Sequence, residues 1–237
     1  MDPGAAARRI GDATVNAEQS NDAGRTAERV IDVIGRVRVV PVLTVAEPDD
    51  AVHLVRALVE GGLPVVEITL RTPSGLEAIR RSRLDVPDAI VGAGSVTSAT
   101  LAAAAIDAGA AFVVSPGLDD GVIDTATSAS VPVLPGVATA TELLRAVNAG
   151  LDAVKLFPAE QLGGPGLIRA FAAVWPDVRF MPTGGVTAGS APSYLALPQV
   201  LAVGGSWMVN TAAVDAHDWS RVTDDATTAA RLGAAVS

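Results

Sequence analysis

The chain is expected to fold as a single TIM-type (β/α)8 barrel, and three observations predict it. Short β-branched runs alternate with longer helical patterns through eight successive units. Alternation of that kind builds a parallel sheet covered by helices, and eight units allow the sheet to close on itself. Glycines follow the periodic runs at Gly61-Gly62, Gly109 and Gly150, where helix C-caps belong. The length of 237 residues suits one such barrel. An open, doubly wound sheet is the alternative, but no dinucleotide fingerprint follows the first strand.

The elements follow in order. RTAERVIDVIG places Val30, Ile31, Val33 and Ile34 at helical spacing and predicts an N-terminal helix. VRVVPVLTV (37–45) reads as the first strand and precedes a helix at about 47–60. LPVVEITLRT (63–72) precedes a helix at 74–83, and AIVGAG (89–94) precedes TSATLAAAAIDAG. AFVVSPG (111–117) leads to a helix at about 119–128, and VPVLPG (131–136) to TATELLRAVNAG. AVKLFP (153–158) leads to a helix at about 165–174, and VRFMPTGG (178–185) to AGSAPSYLAL. VLAVGGSW (200–207) is the eighth strand, with a last helix near 218–234. The first 24 residues are small and polar, without a signal-peptide apolar core, and are read as a disordered tail ahead of one domain, 25–237.

Composition removes several classes of function. A net charge of −9 argues against broad binding to nucleic acid or anionic membranes, both of which need a basic surface. The absence of cysteine excludes disulfides, a thiol nucleophile and thiolate metal sites. The two histidines, His53 and His217, are far apart in sequence and offer no recognisable metal-ligand set. No apolar run approaches the roughly 18 residues of a membrane span. A soluble, cytoplasmic protein is expected. Aromatic residues are only 3% of the chain, so the core must be built from Ala, Val, Leu and Ile. Phe171, Trp175 and Phe180 read as packing, while Trp207 could pack or line a site.

In such a barrel the active site lies at the C-terminal ends of the strands, and side chains alternate in and out. VVEITLRT therefore puts Glu67, Thr69 and Arg71 on one face and Val66, Ile68 and Leu70 on the other. The polar face is expected to point into the barrel. A buried Glu67–Arg71 ion pair is the structural alternative to a functional site. AVKLFP follows the same logic, with Lys155 and Phe157 sharing the inward face. Of 17 basic residues, Lys155 alone is lysine, and it falls in an apolar strand where charge is costly. Burial disfavours the charged form of an amine, and a neutral amine can attack a ketone to form a Schiff base. Arginine cannot do this, because its guanidinium stays protonated. A structural Lys155–Glu67 pair is the competing reading.

The last two strands end in Thr183-Gly184-Gly185 and Gly204-Gly205-Ser206. Loops after strands seven and eight are the usual phosphate site in this barrel, and glycines let backbone N–H groups approach an anion. Gly92-Ala93-Gly94-Ser95 and Ser115-Pro116-Gly117 mark two further strand ends. These read equally well as ordinary turns or as substrate contacts, with Ser95 supplying a hydroxyl.

Taken in order, VEITLRT, GAGSV, SPG, KLFPAE, PTGG and GGSW resemble the 2-keto-3-deoxy-6-phosphogluconate (KDPG) and 4-hydroxy-2-oxoglutarate (KHG) aldolase family from about Val39 to the C-terminus. The resemblance implies a class I aldolase of the Entner–Doudoroff pathway, a homotrimeric (β/α)8 barrel that cleaves KDPG to pyruvate and glyceraldehyde 3-phosphate without metal or cofactor. It implies that Lys155 is the Schiff-base lysine and Glu67 the general acid/base. Arg71 would bind the substrate carboxylate, and Ser95 stands where the family usually has threonine. Pro116 and Phe157 would shape the pocket. Thr183 matches the KDPG-type motif, where relatives acting on the galactose-derived epimer tend to have valine. Gly184, Gly185, Gly205 and Ser206 would hold the phosphate. Cleavage of 4-hydroxy-2-oxoglutarate or of several 2-keto acids is a close alternative. An isomerase and a non-catalytic keto-acid or phosphosugar sensor are more distant ones.

Overall fold

In the computed structural model of the chain, the described residues are 30–235; the tail expected at 1–24 lies outside them. A first helix, α1, covers 30–37. Strands and helices then alternate as β1 (Val39–Leu43), α2 (Pro48–Glu60), β2 (Val65–Thr69), α3 (Gly75–Asp85), β3 (Ile90–Gly94) and α4 (Ala99–Asp107). They continue as β4 (Val113–Val114), α5 (Asp120–Ser128), β5 (Val133–Leu134), β6 (Gly136–Val137), α6 (Ala140–Asn148) and β7 (Ala153–Leu156). The chain finishes with α7 (Pro165–Ala172), β8 (Arg179–Pro182), α8 (Ala191–Leu195), β9 (Val203–Gly205), α9 (Thr211–Asp215) and α10 (Trp219–Ala234).

All pairings are parallel, in the orders β5-β4-β3-β2-β1-β9 and β6-β7-β8. The expected fifth strand is therefore two short ones, split at Pro135, which has no N–H to give to a ladder. Its carbonyl still accepts from Lys155 N at 2.9 Å, so the ring continues across the break. The bridges Phe180↔Val200 and Thr183↔Gly204 join β8 to the ninth strand, and β9 pairs with β1 to close the barrel. Every observed strand is shorter than the run that predicted it, because the ends of those runs turn into βα loops.

Two apolar layers follow from the period-two alternation. Val66, Ile68, Val154 and Leu156 point outward and pack with the helices in the larger core. Val65, Phe112, Leu134, Ala153 and Met181 belong to a second cluster with Ile31 and Ile34 of α1, which plugs one end of the barrel. Two residues further along the same inward faces stand Glu67, Lys155 and Thr183. The barrel interior thus passes from an apolar floor to a polar layer near the C-terminal strand ends. Among the described residues, no helix is long and apolar enough to cross a membrane.

Candidate active site

Glu67 on β2 and Lys155 on β7 meet across the barrel. Glu67 is 0% exposed and Lys155 4%, and Nζ lies 3.4 Å from Glu67 Oε1. This is a long contact for an ion pair sealed from water. Glu67 Oε2 is buried with no hydrogen-bond partner, so half of the carboxylate is uncommitted. The Phe157 ring centroid lies 5.1 Å from Nζ, and Phe157 also lines the cavity above. The lysine is therefore enclosed by a carboxylate on one side and an aromatic face on the other.

That cavity has a volume of ≈ 500 Å³. Arg71, Phe157, Thr183, Gly184, Gly185, Gly205, Ser206 and Trp207 line it, together with Val42, Thr44, Val186 and Thr187. It sits at the C-terminal strand ends, where this barrel class keeps its active sites. Lys155 and Glu67 lie below its lining, at the bottom of the approach past Phe157.

Arg71 departs from its expected position. The strand face that carries Glu67 and Thr69 ends at Thr69, and the last ladder bond runs from Leu70 N to Gly94 O at 2.8 Å. Arg71 is exposed beyond it, and its Nε donates to Ser95 Oγ at 2.9 Å. The alternative of a buried Glu67–Arg71 pair is not what forms: Glu67 pairs with Lys155, and Arg71 with Ser95. Ser95 itself adopts a φ of 58°, a left-handed conformation uncommon for a residue with a Cβ. Its hydroxyl fixes the height of the guanidinium at the cavity rim.

Pro116 does not line the cavity. Its carbonyl carbon and oxygen press against Gly136, where a Cβ would come within 2.3 Å of them. Gly136 on β6 is the register partner of Lys155 on β7, so Pro116 packs against the strand next to the lysine strand.

Gly184 and Gly185 have φ of 97° and 79° and turn the chain sharply after β8. Among the described residues, neither of their N–H groups has a protein acceptor. Among the described residues, no helix N-terminus directly adjoins these glycines: α8 starts only at Ala191 and α9 at Thr211. Residues 186–190 intervene in the first case. Any anion at these loops would rely on loop N–H groups and the Ser206 hydroxyl. Behind the turn, Glu160 N donates to Gly184 O at 3.1 Å.

Several site residues were not singled out beforehand. Gly94 is one: a Cβ there would lie 2.1 Å from Glu67 Oε1, so the carboxylate occupies the space that a side chain would fill. Thr44, Val186 and Thr187 line the cavity with no motif to announce them. Trp207, in contrast, was a candidate for packing or lining a site, and it does both: it lines the cavity with its ring packed over Gly205. The packing reading holds for Phe171, which lies edge-on to Trp175 at 6.2 Å and stacked on Phe180 at 6.3 Å. Both histidines contact Trp219, at 5.6 Å for His53 and 5.5 Å for His217. Among the described residues, no three His, Cys, Asp or Glu side chains form a metal-sized group.

A buried amine against a half-free carboxylate, below a cavity rimmed by an arginine and unpaired glycine N–H groups, suits imine chemistry on an anionic keto acid. Comparison with known proteins points the same way. Residues 30–224 match the family model described as KDPG and KHG aldolase. The 2-dehydro-3-deoxy-phosphogluconate aldolase of Pseudomonas aeruginosa is 47% identical over 193 residues, covering 81% of this chain and 88% of that protein. The KHG/KDPG aldolase of Escherichia coli K12 is 44% identical over 185 residues, covering 78% and 87%. Among solved structures, the aldolase of Zymomonas mobilis ZM4 with 3-phosphoglycerate superposes with a TM-score of 0.80 at 44% identity, covering 85% of this chain and 95% of that one. The KDPG aldolase of Legionella pneumophila, with pyruvate captured as a covalent carbinolamine, gives a TM-score of 0.80 at 37% identity, covering 82% and 95%. The chain belongs to the KDPG and KHG aldolase family.

Proposed function

We propose that Lys155, Glu67 and Arg71 carry out a class I aldol cleavage of KDPG to pyruvate and glyceraldehyde 3-phosphate. The observation that carries this reading is the buried Lys155–Glu67 contact of 3.4 Å beneath the cavity. Glu67 takes the proton that Lys155 must lose, and the free amine adds to the C2 ketone. Glu67 returns that proton to the carbinolamine hydroxyl, which leaves as water, giving an iminium and a Glu67 carboxylate. Glu67 or a water beside it then removes the C4 hydroxyl proton. The C3–C4 bond breaks, its electron pair moves into the iminium to form an enamine, and C4 becomes the aldehyde carbon of the departing product. Protonation of the enamine at C3 and hydrolysis of the iminium release pyruvate and the amine. The Arg71 guanidinium, held by Ser95, binds the keto-acid carboxylate. Gly184, Gly185, Gly205 and Ser206 take the phosphate, Thr183 and Phe157 shape the space between, and Pro116 packs on Gly136 of β6, the strand paired with the lysine strand.

Borohydride reduction in the presence of pyruvate tests the central step. The chain has a single side-chain amine, so only the N-terminal amino group competes with it. Peptide mapping should place the adduct on Lys155, and Lys155→Arg should form none and lose turnover by at least about 10⁴-fold. An intact wild-type chain that traps nothing at Lys155 would reject the mechanism.

The same family resemblance supports a homotrimer in the cytoplasm and a functional unit spanning residues 25–237. Light scattering and activity of the full chain and of a 25–237 fragment test the assembly and the boundary together. A monomer, or an inactive fragment, would count against them.

A further inference from the structure

Thr44 stands at the C-terminal end of β1, exposed and lining the cavity. Its Oγ1 lies 2.8 Å from Thr69 Oγ1 on the neighbouring strand. Thr69 is 0% exposed, and Thr44 is the partner of its hydroxyl among the described residues. A buried hydroxyl that kept its proton unshared would pay the cost of an unmade hydrogen bond. Thr69 therefore donates to Thr44. That assignment uses a lone pair of Thr44 and leaves its proton free to point into the cavity as a donor.

The position of this donor is specific. β1 lies between β2, which carries Glu67, and β9, which ends in Gly205. Thr44 lines the same cavity as Arg71 and the glycine loops, so a substrate that reaches from Lys155 to those loops fills the space its hydroxyl faces. In KDPG the carboxylate falls to Arg71, the ketone to Lys155, the C4 hydroxyl to Glu67 and the phosphate to the loops. Only the C5 hydroxyl is then without a protein group.

We infer that Thr44 is a specificity-determining residue whose hydroxyl, polarised by Thr69, hydrogen-bonds the C5 hydroxyl of the substrate. This rests on the aldolase reading of the site. It makes the enzyme a reader of the hydroxyl next to the phosphate-bearing carbon, and not of the phosphate alone.

The test runs the reaction in the direction of carbon–carbon bond formation. Pyruvate is offered two acceptors: glyceraldehyde 3-phosphate, and 3-oxopropyl phosphate, which lacks only the hydroxyl in question. The readout is the ratio of kcat/KM for the two aldehydes. In Thr44→Val the preference for the hydroxylated acceptor should fall by about threefold to tenfold relative to wild type, the weight of one neutral hydrogen bond. Thr44→Ser, which keeps the hydroxyl, should retain the wild-type ratio. Comparing ratios between variants cancels intrinsic differences between the aldehydes. A Thr44→Val enzyme that condenses both acceptors with an unchanged ratio overturns the inference and leaves the aldolase reading standing. A wild-type chain that condenses neither overturns that reading, and this inference with it.

Discussion

A methyl group at position 94 would sit 2.1 Å from Glu67 Oε1 and 2.6 Å from its Cγ and Cδ, well inside van der Waals contact. Gly94→Ala should therefore push the carboxylate off Lys155 while leaving the strand backbone unstrained, since position 94 has an ordinary negative φ. A displacement of about 1 Å at a reacting group costs roughly 10²-fold in rate. We expect kcat to fall by about that factor, with circular dichroism unchanged; wild-type turnover would show that Glu67 is not positioned by this contact. The sequence could place Glu67 and Lys155 on inward faces from alternation alone. It could not show that Gly94 vacates the space between strands, because this depends on the β2–β3 register, which pairs Thr69 with Gly94. Tyr194 offers a second test at this scale, and one that involves pH. It is the single tyrosine of the chain and is fully buried. Neither its hydroxyl nor Glu160 Oε1 makes a well-aligned hydrogen bond. Desolvation first, and the adjacent Glu160 carboxylate second, raise the phenol well above its ordinary value of 10.0. The folded chain thus holds this proton more tightly than the unfolded one. The stabilisation is complete below about pH 10 and is lost progressively as pH rises above it. An alkaline titration should show the ultraviolet phenolate band appearing only together with unfolding. A midpoint near the ordinary value in a still-folded protein would contradict this burial.

At the level of elements, legibility depended on length and on local chemistry. The helix α6 was readable because its signals are local. Thr139 accepts from Glu142 N, and Glu142 Oε2 accepts from Thr139 N at 2.9 Å, a reciprocal capping box. Thr139→Ala removes one half of it and should cost about 1 kcal/mol, seen as a lower urea midpoint at constant slope. An unchanged midpoint would mean that packing alone holds the first turn. By contrast, α9 (Thr211–Asp215) was not expected. Five residues are too few for a helical period to emerge, and its start depends on one side chain, Asn210, accepting from Ala213 N. The split between β5 and β6 was also unread, although Pro135 stood in plain view. Proline removes a ladder donor, but whether a strand breaks or merely bends there depends on which neighbours claim the flanking residues. Here β4 claims Val133 and Leu134, while β7 claims Gly136 and Val137. The displacement of Arg71 has the same origin. Alternation predicts its face, but the ladder stops before reaching it and the βα turn re-aims it at Ser95.

The whole molecule divides its labour along the barrel axis, as α/β barrels do, with chemistry at the C-terminal strand ends and stability at the other. That division was inferable from eight strand–helix units, but the way the ring is fastened was not. The first and last parts of the chain must meet for the barrel to close. They do so through β1 on β9 and through α2 on α10, two contacts between residues far apart in sequence. Gly61, the residue ending α2, sits directly against α10. A Cβ there would lie 2.5 Å from Ala226 Cβ and 2.8 Å from Thr223 O, both on α10. The nearby Thr223 hydroxyl donates to Ala57 O at 3.2 Å, tying the same helices together. Gly61 has a φ of −77°, so its backbone tolerates any residue and only the space is lacking. Gly61→Val should force the two helices apart and destabilise the fold by about 1–3 kcal/mol, the usual cost of overpacking. Thermal melting measures the loss. Folded Gly61→Val enzyme should still trap pyruvate at Lys155, because the substitution lies at the opposite end of the barrel from the cavity. If the variant melts as wild type, the α2–α10 seam does not clamp the ring. If it folds well but no longer traps pyruvate, the two ends of the barrel are coupled, and the separation of stability from chemistry fails for this chain.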